Sequence, residues 1–164
     1  MAEKAQGKEV ELKKPTLFLI IGLPGSGKTT KAKEIELQRS ALRFTPDEWI
    51  IALYGENLDR ATRDAVRNPV EQLQWQIAKQ NLSHGMNVVL DWGFWTRTER
   101  EKYRKEAKAM GVSVQTIFID VSPDELWKRV SNRSESQKGT LKIEQEDLEE
   151  WSKKFEPPTE DELK

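Results

Sequence analysis

A glycine-rich segment between an apolar run and a lysine-rich run most constrains how this chain folds. It reads Gly22-Leu23-Pro24-Gly25-Ser26-Gly27-Lys28-Thr29-Thr30, with glycines five residues apart followed directly by Lys and Thr. Glycine adopts backbone angles that a Cβ would block, so the amides of such a loop can turn toward phosphate oxygens. The spacing is that of a P-loop. It predicts that residues 22–30 bind the phosphates of ATP, with Lys28 on the outer phosphates and Thr29 on Mg²⁺.

Apolar runs of strand length alternate with longer helical patterns around this loop. Strands are predicted at Thr16–Ile21, Leu42–Thr45, Asn87–Asp91 and Val112–Val121, and helices at Lys28–Arg39, Arg97–Met110, Pro123–Ser131 and Glu144–Phe155. Such alternation is typical of a parallel sheet with helices on both faces. We therefore predict an α/β protein with a three-layer P-loop NTPase fold and a four-stranded parallel sheet.

Two segments do not fit plain crossovers between strands. Residues 46–85 separate the second and third strands, where a crossover helix needs only ~10–12 residues. This insertion is predicted to bind substrate and to contain helices at Pro46–Leu53, Asp59–Arg67 and Pro69–Ser83. Residues 132–143, rich in Ser, Gln and charge, are predicted to form a mobile lid loop. Residues 1–14 are expected to be a flexible tail before a single domain spanning residues 15–164.

The composition argues against several classes of protein. The chain has no Cys, which excludes disulfides and thiolate metal sites. Its 27 basic and 28 acidic residues nearly balance, so the total charge does not indicate a nucleic-acid or membrane binder. No apolar run approaches the ~18 residues of a membrane span, and the polar start lacks the apolar region of a signal peptide. We expect a cytoplasmic protein with no membrane partner.

Acidic side chains follow two of the predicted strands, at the edge where open parallel sheets bind ligands. Asp47 is a candidate base for the hydroxyl of a phosphoryl acceptor. Alternatively it only supports a helix start, because Thr45 and Glu48 have the spacing of a capping box. Asp91, at the end of the third strand, is a candidate ligand of Mg²⁺ or of substrate. Its alternative role is to cap the helix that follows.

An aromatic loop follows Asp91. Trp92, Phe94 and Trp95 either line a ligand pocket or pack in the core. Arg97 and Arg100 come next, at the start of a predicted helix. They are further candidates for contact with a ligand, and a solvated helix face is the alternative.

Arginines mark two further candidate positions. Arg129 and Arg133 are four residues apart at the start of the predicted lid, where closure can bring arginines onto a transferring phosphoryl group. Arg60, Arg63 and Arg67 lie in the insertion, where an acceptor could bind, and Arg63 is assigned to substrate together with Trp92 and Trp95. For each arginine the alternative is a solvated helix face.

Taken together, these residues resemble the zeta-toxin/polynucleotide-kinase-like P-loop kinases, AAA-type ATP-binding proteins that include chloramphenicol phosphotransferase-like members. The resemblance covers about residues 15–160 and rests on Gly22–Thr30, Thr45-Pro46-Asp47-Glu48, the strand ending in Asp91, Leu126-Trp127-x-Arg129-x3-Arg133 and Phe155-Glu156-Pro157-Pro158. It implies transfer of the γ-phosphoryl group of ATP to a hydroxyl. In that reaction Asp47 is the substrate-orienting base, Lys28 and Thr29 bind phosphate and Mg²⁺, and Arg129 and Arg133 belong to the lid.

The chain also departs from that family. Members often continue into a fifth strand, whereas residues 157–162 are acidic and unlike a strand. The aromatic loop is less polar than the corresponding loops of polynucleotide 5′-kinases. We therefore favour ATP and an unidentified hydroxyl-bearing small molecule as partners over a nucleic-acid end. A polynucleotide 5′-hydroxyl kinase and a non-catalytic ATP-binding switch remain alternatives.

Overall fold

The fold alternates strands and helices, as predicted. The structure, a computed structural model, describes residues 13–133 and 143–164. Its strands are β1 (Thr16–Ile21), β2 (Ala41–Phe44), β3 (Asn87–Gly93) and β4 (Ser113–Phe118). Its helices are α1 (Lys28–Gln38), α2 (Pro46–Tyr54), α3 (Arg60–Ser83), α4 (Arg97–Ala109), α5 (Pro123–Arg133) and α6 (Gln145–Lys154), followed by a 3₁₀ turn at Glu160–Glu162. Most of the predicted tail (1–14) and of the predicted lid (132–143) lies outside the described residues.

The four strands form one parallel sheet in the order β2-β3-β1-β4. The predicted four-stranded parallel sheet is therefore confirmed. β1 lies between β3 and β4, and its residues 17–21 are buried because helices cover both faces of the sheet. The P-loop strand and the strand carrying Asp91 are neighbours. The carboxyl ends of β1, β2 and β3 consequently meet at one edge.

Helices cover both faces of the sheet. On one face, Ala32 and Ile35 of α1 pack against Ile20 of β1. On the other face, Trp75 of α3 and Tyr103 of α4 belong to the larger apolar cluster. A third, smaller cluster joins α5 and α6 to the end of β1 through Leu126, Leu148 and Leu23. The P-loop therefore follows directly from the sheet and packs against α5.

The insertion contains one long helix where two were predicted. The expected helices Asp59–Arg67 and Pro69–Ser83 are joined as α3, with Pro69 inside. Proline removes one backbone hydrogen bond at a cost of about 3 kcal/mol. The helix nevertheless continues, because residues on its inner stripe, including Trp75, are buried and Asp59 caps its start through the backbone N–H of Thr62.

Three other boundaries differ from the prediction by two residues or more. β4 ends at Phe118 and not at Val121, because Phe118 is paired with Ile21, the last residue of β1. β3 continues past Asp91 to Gly93, with a register shift against β1. Residues 132 and 133, assigned to the lid, instead form the last turn of α5.

Within the described ranges, none of the helices combines the length and the apolar character needed to cross a bilayer.

Candidate functional site

The glycine-rich loop is held tightly between β3 and α5. The backbone N–H of Gly22 donates to the carbonyl of Gly93 at 3.1 Å. Gly25 has φ +85°, and a Cβ there would lie 2.6 Å from the side chain of Val130. Gly27, at φ +96°, is the N-cap of α1. These positions require glycine, and the loop delivers the chain into a helix whose N-terminal N–H groups favour an anion.

A cavity of about 1060 Å³ opens beside this loop. Its volume is at the upper end of the range for small-molecule sites, about 300–1,000 Å³. The P-loop contributes Pro24, Gly25, Gly27, Lys28, Thr29 and Thr30 to one wall. The insertion and the segment after β3 contribute Asp47, Arg63, Arg67, Glu71, Trp95, Thr96 and Glu99, and α6 contributes Trp151 and Lys154. One cleft therefore joins the phosphate loop to the insertion.

Asp91 lies buried beneath the P-loop. Its Oδ2 accepts hydrogen bonds from the hydroxyls of Thr29, at 2.6 Å, and Thr45, at 3.0 Å. Its Oδ1 is buried and has no hydrogen-bond partner among the described residues. Burial raises the pKa of this carboxyl, and the neighbouring charge of Lys28 opposes the rise. The unpaired oxygen indicates that the site is built to receive a further donor or a cation.

The residues around Asp91 fit the Mg²⁺ that P-loop proteins bind with their nucleotide. A hydroxyl and a carboxylate are the oxygen donors that this cation prefers, and it usually keeps water and phosphate oxygens as its other ligands. Among the described residues, no group of three or more His, Asp or Glu side chains could hold a metal ion by itself. Thr29 and Asp91 are therefore suited to a cation that arrives with a nucleotide.

Lys28 lies in the cleft between the acidic groups. Its Nζ donates to the carbonyl of Leu23 at 3.3 Å. Burial lowers the pKa of this lysine, while the carboxylates of Asp91 and Asp47 favour its charged form. A bound phosphate group would add to that second effect, because an anion close to the ammonium stabilises its charge.

Asp47 begins α2 and faces the same cleft, where it pairs with Arg67. Arg67 Nη1 donates to Asp47 Oδ1 at 2.9 Å. The predicted capping box is not formed: the side chain of Thr45 makes no cap hydrogen bond, and Glu48 pairs with Arg43 at 3.1 Å. The capping box is therefore absent, but Asp47 lies in the first turn of α2, where its charge also favours the helix dipole.

The two tryptophans that follow Asp91 differ in their surroundings. Trp92 is 4% exposed and stacks on Phe94 in the main core, although it also reaches the cavity wall. Trp95 is partly exposed and packs against Trp151 of α6, with ring centroids 5.5 Å apart. The aromatic loop thus contributes both to the core and to the cavity, where the sequence left these two possibilities open.

The candidate arginines also differ in whether they line the cavity. Arg133 and the buried Arg63 line the cavity. Arg129 does not line it, because its guanidinium binds the carbonyl of Ser26 at 3.2 Å and the carboxylate of Glu125 at 2.9 Å. Its assignment to the transferring phosphoryl group stays a prediction. The rest of the predicted lid, residues 134–142, lies outside the described residues.

The sequence analysis missed several residues of this cavity. They are Glu71, Thr96, Glu99, Trp151 and Lys154. For Glu71 a signal existed, because Arg63, Arg67 and Glu71 are spaced four residues apart, which places them on one helix face. Nothing in the spacing of Trp151 and Lys154 could have revealed that α6 closes the cavity.

Replacing Glu71 by Gln is expected to flatten the pH dependence of stability. Burial raises the pKa of Glu71 from 4.5 to about 7, against the opposing charge of Arg67. The folded state therefore binds this proton more tightly than the unfolded chain, and the free energy of unfolding falls as pH rises through that interval. Across the whole interval the free energy of unfolding falls by about 3 kcal/mol. Glutamine does not titrate, so the Glu71→Gln variant should not show this fall. Urea unfolding at several pH values measures the difference.

Glu101→Gln is the matched control. Glu101 forms the same kind of i,i+4 pair with Arg97 as Glu71 forms with Arg67, but on an exposed face of α4. Its pH profile of stability should run parallel to that of the wild type. A Glu71→Gln profile that also ran parallel would contradict the assigned pKa.

Comparison with known proteins agrees with this fold. Among solved structures, a Chloroflexus aurantiacus protein described provisionally as a kinase aligns with a TM-score of 0.69, 19% identity and coverage of 84% of this chain and 75% of that one. Kti12 of Chaetomium thermophilum, in complex with ADP-AlF3, aligns at 0.67, 20% identity and coverage of 87% and 81%. A gluconokinase from Sinorhizobium meliloti aligns at 0.57, 18% identity and coverage of 91% and 79%.

At such identities these structures establish the fold, the P-loop NTPase fold predicted from the sequence. No curated protein matches the sequence significantly. A family model described as an AAA domain matches residues 17–158. This match covers most of the chain and includes the phosphate loop, Asp47, Asp91 and α6. The chain therefore belongs to this AAA domain family, whose P-loop implies nucleotide binding.

Proposed function

We propose that this protein is an ATP-dependent kinase that transfers the γ-phosphoryl group of ATP to a hydroxyl of a small molecule. One observation carries the proposal: Asp47 and the phosphate-loop residues Lys28 and Thr29 line the same cavity. A hydrolytic switch needs the phosphate loop, but it does not need a carboxylate on a separate helical insertion across the cleft. The kinase names among the structural neighbours favour the same reaction class.

In the proposed reaction, the acceptor oxygen forms a bond to the γ-phosphorus while the bond from that phosphorus to the bridging β,γ-oxygen breaks. The acceptor proton passes to the carboxylate of Asp47, and ADP leaves. Phosphoryl transfer depends chiefly on positioning and on stabilisation of charge. Lys28 and the amides of residues 22–30 hold the phosphates, and Arg133 adds positive charge at the cavity wall.

Mg²⁺, held by Thr29 and Asp91, would neutralise charge on the phosphates when it binds with ATP. Two features of this chain support such an ion site: the hydrogen bond from Thr29 to Asp91, and the carboxylate oxygen of Asp91 that has no hydrogen-bond partner among the described residues. The two threonine hydroxyls fix the orientation of the carboxylate.

We place the protein among the zeta-toxin/polynucleotide-kinase-like and chloramphenicol phosphotransferase-like enzymes of this family. The acceptor is expected to be a small molecule, because the insertion, the aromatic loop and α6 enclose the acceptor end of the cavity. Trp95, Arg63 and, at the base of the wall, Trp92 are its proposed contacts. The proposed working compartment is the cytoplasm.

Conversion of ATP to ADP in the presence of a panel of hydroxyl compounds tests this function. The panel contains sugars, polyols, nucleosides, hydroxylated antibiotics and oligonucleotides with a free 5′-hydroxyl, and Lys28→Ala serves as the blank. Wild-type turnover that depends on one class of small compound, together with a phosphorylated product detected by mass spectrometry, is the expected result.

Two other results would point elsewhere. Turnover that requires oligonucleotides and weakens as salt rises would identify a nucleic-acid end as the acceptor. Tight ATP binding without transfer to any compound would contradict the kinase proposal and favour a non-catalytic switch.

A further inference from the structure

Arg67 of α3 lines the cleft and contacts two other elements, α2 and β3, as well as the next turn of its own helix. Its Nη1 donates to Asp47 Oδ1 of α2 at 2.9 Å, and its Nη2 donates to the backbone carbonyl of Trp92 in β3 at 3.2 Å. Its Nε lies 2.8 Å from Glu71 Oε1, one turn further along α3. A single side chain thus ties the candidate base to the end of the strand that carries Asp91.

The chemistry of the guanidinium makes this arrangement directional. The group is planar and presents its N–H donors in a fixed fork, so two contacts determine where the others point. Glu71, whose side chain is 14% exposed, and the carbonyl of Trp92 are the fixed partners. With these two bonds made, Nη1 is aimed at Asp47. A lysine could replace the charge of Arg67 but not the direction of its hydrogen bonds.

The charges around Arg67 keep its guanidinium protonated. Burial disfavours the guanidinium cation, but the carboxylates of Asp47 and Glu71 more than offset this, and the pKa of Arg67 is raised. The side chain of Asp47 is half exposed, which leaves it free to turn if nothing holds it. Only its Oδ1 is bonded to Arg67, and its Oδ2 makes no hydrogen bond to a described residue.

We propose that Arg67 is the positioning residue of this site, which holds Asp47 by one carboxylate oxygen so that the other is presented to the acceptor hydroxyl. The inference rests on the proposed kinase function and extends it to a residue that acts through Asp47. Arg67 on this view does not contact the substrate. Its effect on turnover should therefore vanish when Asp47 can no longer serve as the base.

The test is a double-mutant cycle with Arg67→Met and Asp47→Asn in the full-length protein, measured with MgATP and the panel compound of highest turnover. Arg67→Met should lower kcat about 10- to 100-fold, the range expected when a reacting group is misplaced. The KM values for ATP and for the acceptor should change by less than about threefold. In the Asp47→Asn background, the same substitution should change kcat by less than about twofold.

Two further variants separate positioning from charge and from stability. Arg67→Lys should resemble Arg67→Met, because lysine keeps the charge and loses the fork. Arg97→Met is the control, since Arg97 has an equivalent i,i+4 carboxylate but is more exposed and does not line the cavity. It should leave kcat unchanged. Thermal unfolding of each variant shows which of them remain folded under assay conditions.

Several outcomes would overturn the inference while leaving the kinase function intact. They are an equal loss of kcat in both backgrounds, full activity of Arg67→Lys, or a rise in the acceptor KM at unchanged kcat, which would make Arg67 a substrate ligand. Absence of transfer by the wild-type protein to every compound of the panel would instead overturn the proposed function and this inference together.

Discussion

Asp47→Asn is expected to abolish phosphoryl transfer while ATP remains bound. Asparagine keeps the shape of the side chain but cannot accept the acceptor proton, and general-base catalysis typically contributes 10²- to 10⁴-fold. We expect kcat to fall by about 10³-fold, which corresponds to about 4 kcal/mol of lost transition-state stabilisation. ATP affinity, measured by titration calorimetry, should change by less than about threefold, because Asp47 lies on α2 and is not part of the phosphate loop.

Glu36→Gln is the control for the removal of one negative charge. Glu36 pairs with Arg43 at 2.8 Å and does not line the cavity, so this variant should retain wild-type turnover. Lys28→Ala supplies the opposite comparison, with loss of turnover accompanied by loss of ATP binding. If Asp47→Asn turned over the true acceptor at the wild-type rate, the role of Asp47 as base would be wrong.

The layers of the fold were predictable because their signals are local. The two central strands, β1 and β3, contain continuous apolar runs, and the P-loop motif fixes a strand before it and a helix after it. The predicted ends of strands were wrong where pairing with a distant strand determines the end. β4 ends where β1 ends, and the register shift that carries β3 past Asp91 depends on the pairing of two strands about 70 residues apart. No pattern within either strand contains that information.

The residues of the candidate site that follow strand ends could be predicted from the sequence, and the contacts of the arginines on α3 and α5 could not. Asp47 and Asp91 were found because parallel topology brings those ends together. The arginines were not separable in advance. Arg67 contacts Asp47, Arg129 contacts the outer side of the P-loop, and Arg63 lies buried in the cavity wall. The sequence around each of these arginines gives no sign of these different contacts, which depend on how α3 and α5 pack.

Arg100 shows the same limit, because its sequence context suggested a ligand contact or a solvated face. It is 1% exposed and bonded through Nε and Nη2 to both carboxylate oxygens of Glu162, at 2.7 and 3.1 Å. Its Nη1 also donates to the carbonyls of Phe94 and Glu156, at 3.0 and 2.9 Å. The acidic C-terminal segment, unlike a strand in composition, is therefore attached to α4 and to the aromatic loop by a buried ion pair.

Arg100→Met is expected to lower the free energy of unfolding by about 3–5 kcal/mol, the usual cost of leaving one partner of a buried ion pair uncompensated. The Arg100 bond is the largest cause of the lowered pKa of Glu162, so the stability deficit of the variant relative to the wild type should grow as pH rises and this carboxyl ionises. The double variant Arg100→Met/Glu162→Gln should recover part of the loss, because it leaves no buried charge. Chemical denaturation of the three proteins measures both effects.

The exposed pair between Arg97 and Asp161, at 2.9 Å, provides the control, since it also joins α4 to the C-terminal segment. Arg97→Met should change stability only slightly, because water solvates both charges in either state. The comparison isolates burial as the cause, since the two arginines lie on the same helix and join it to the same segment. If Arg100→Met were no more destabilising than Arg97→Met, the buried pair would not hold the C-terminal segment, and the position of Phe94 at the cavity would have to depend on aromatic packing alone.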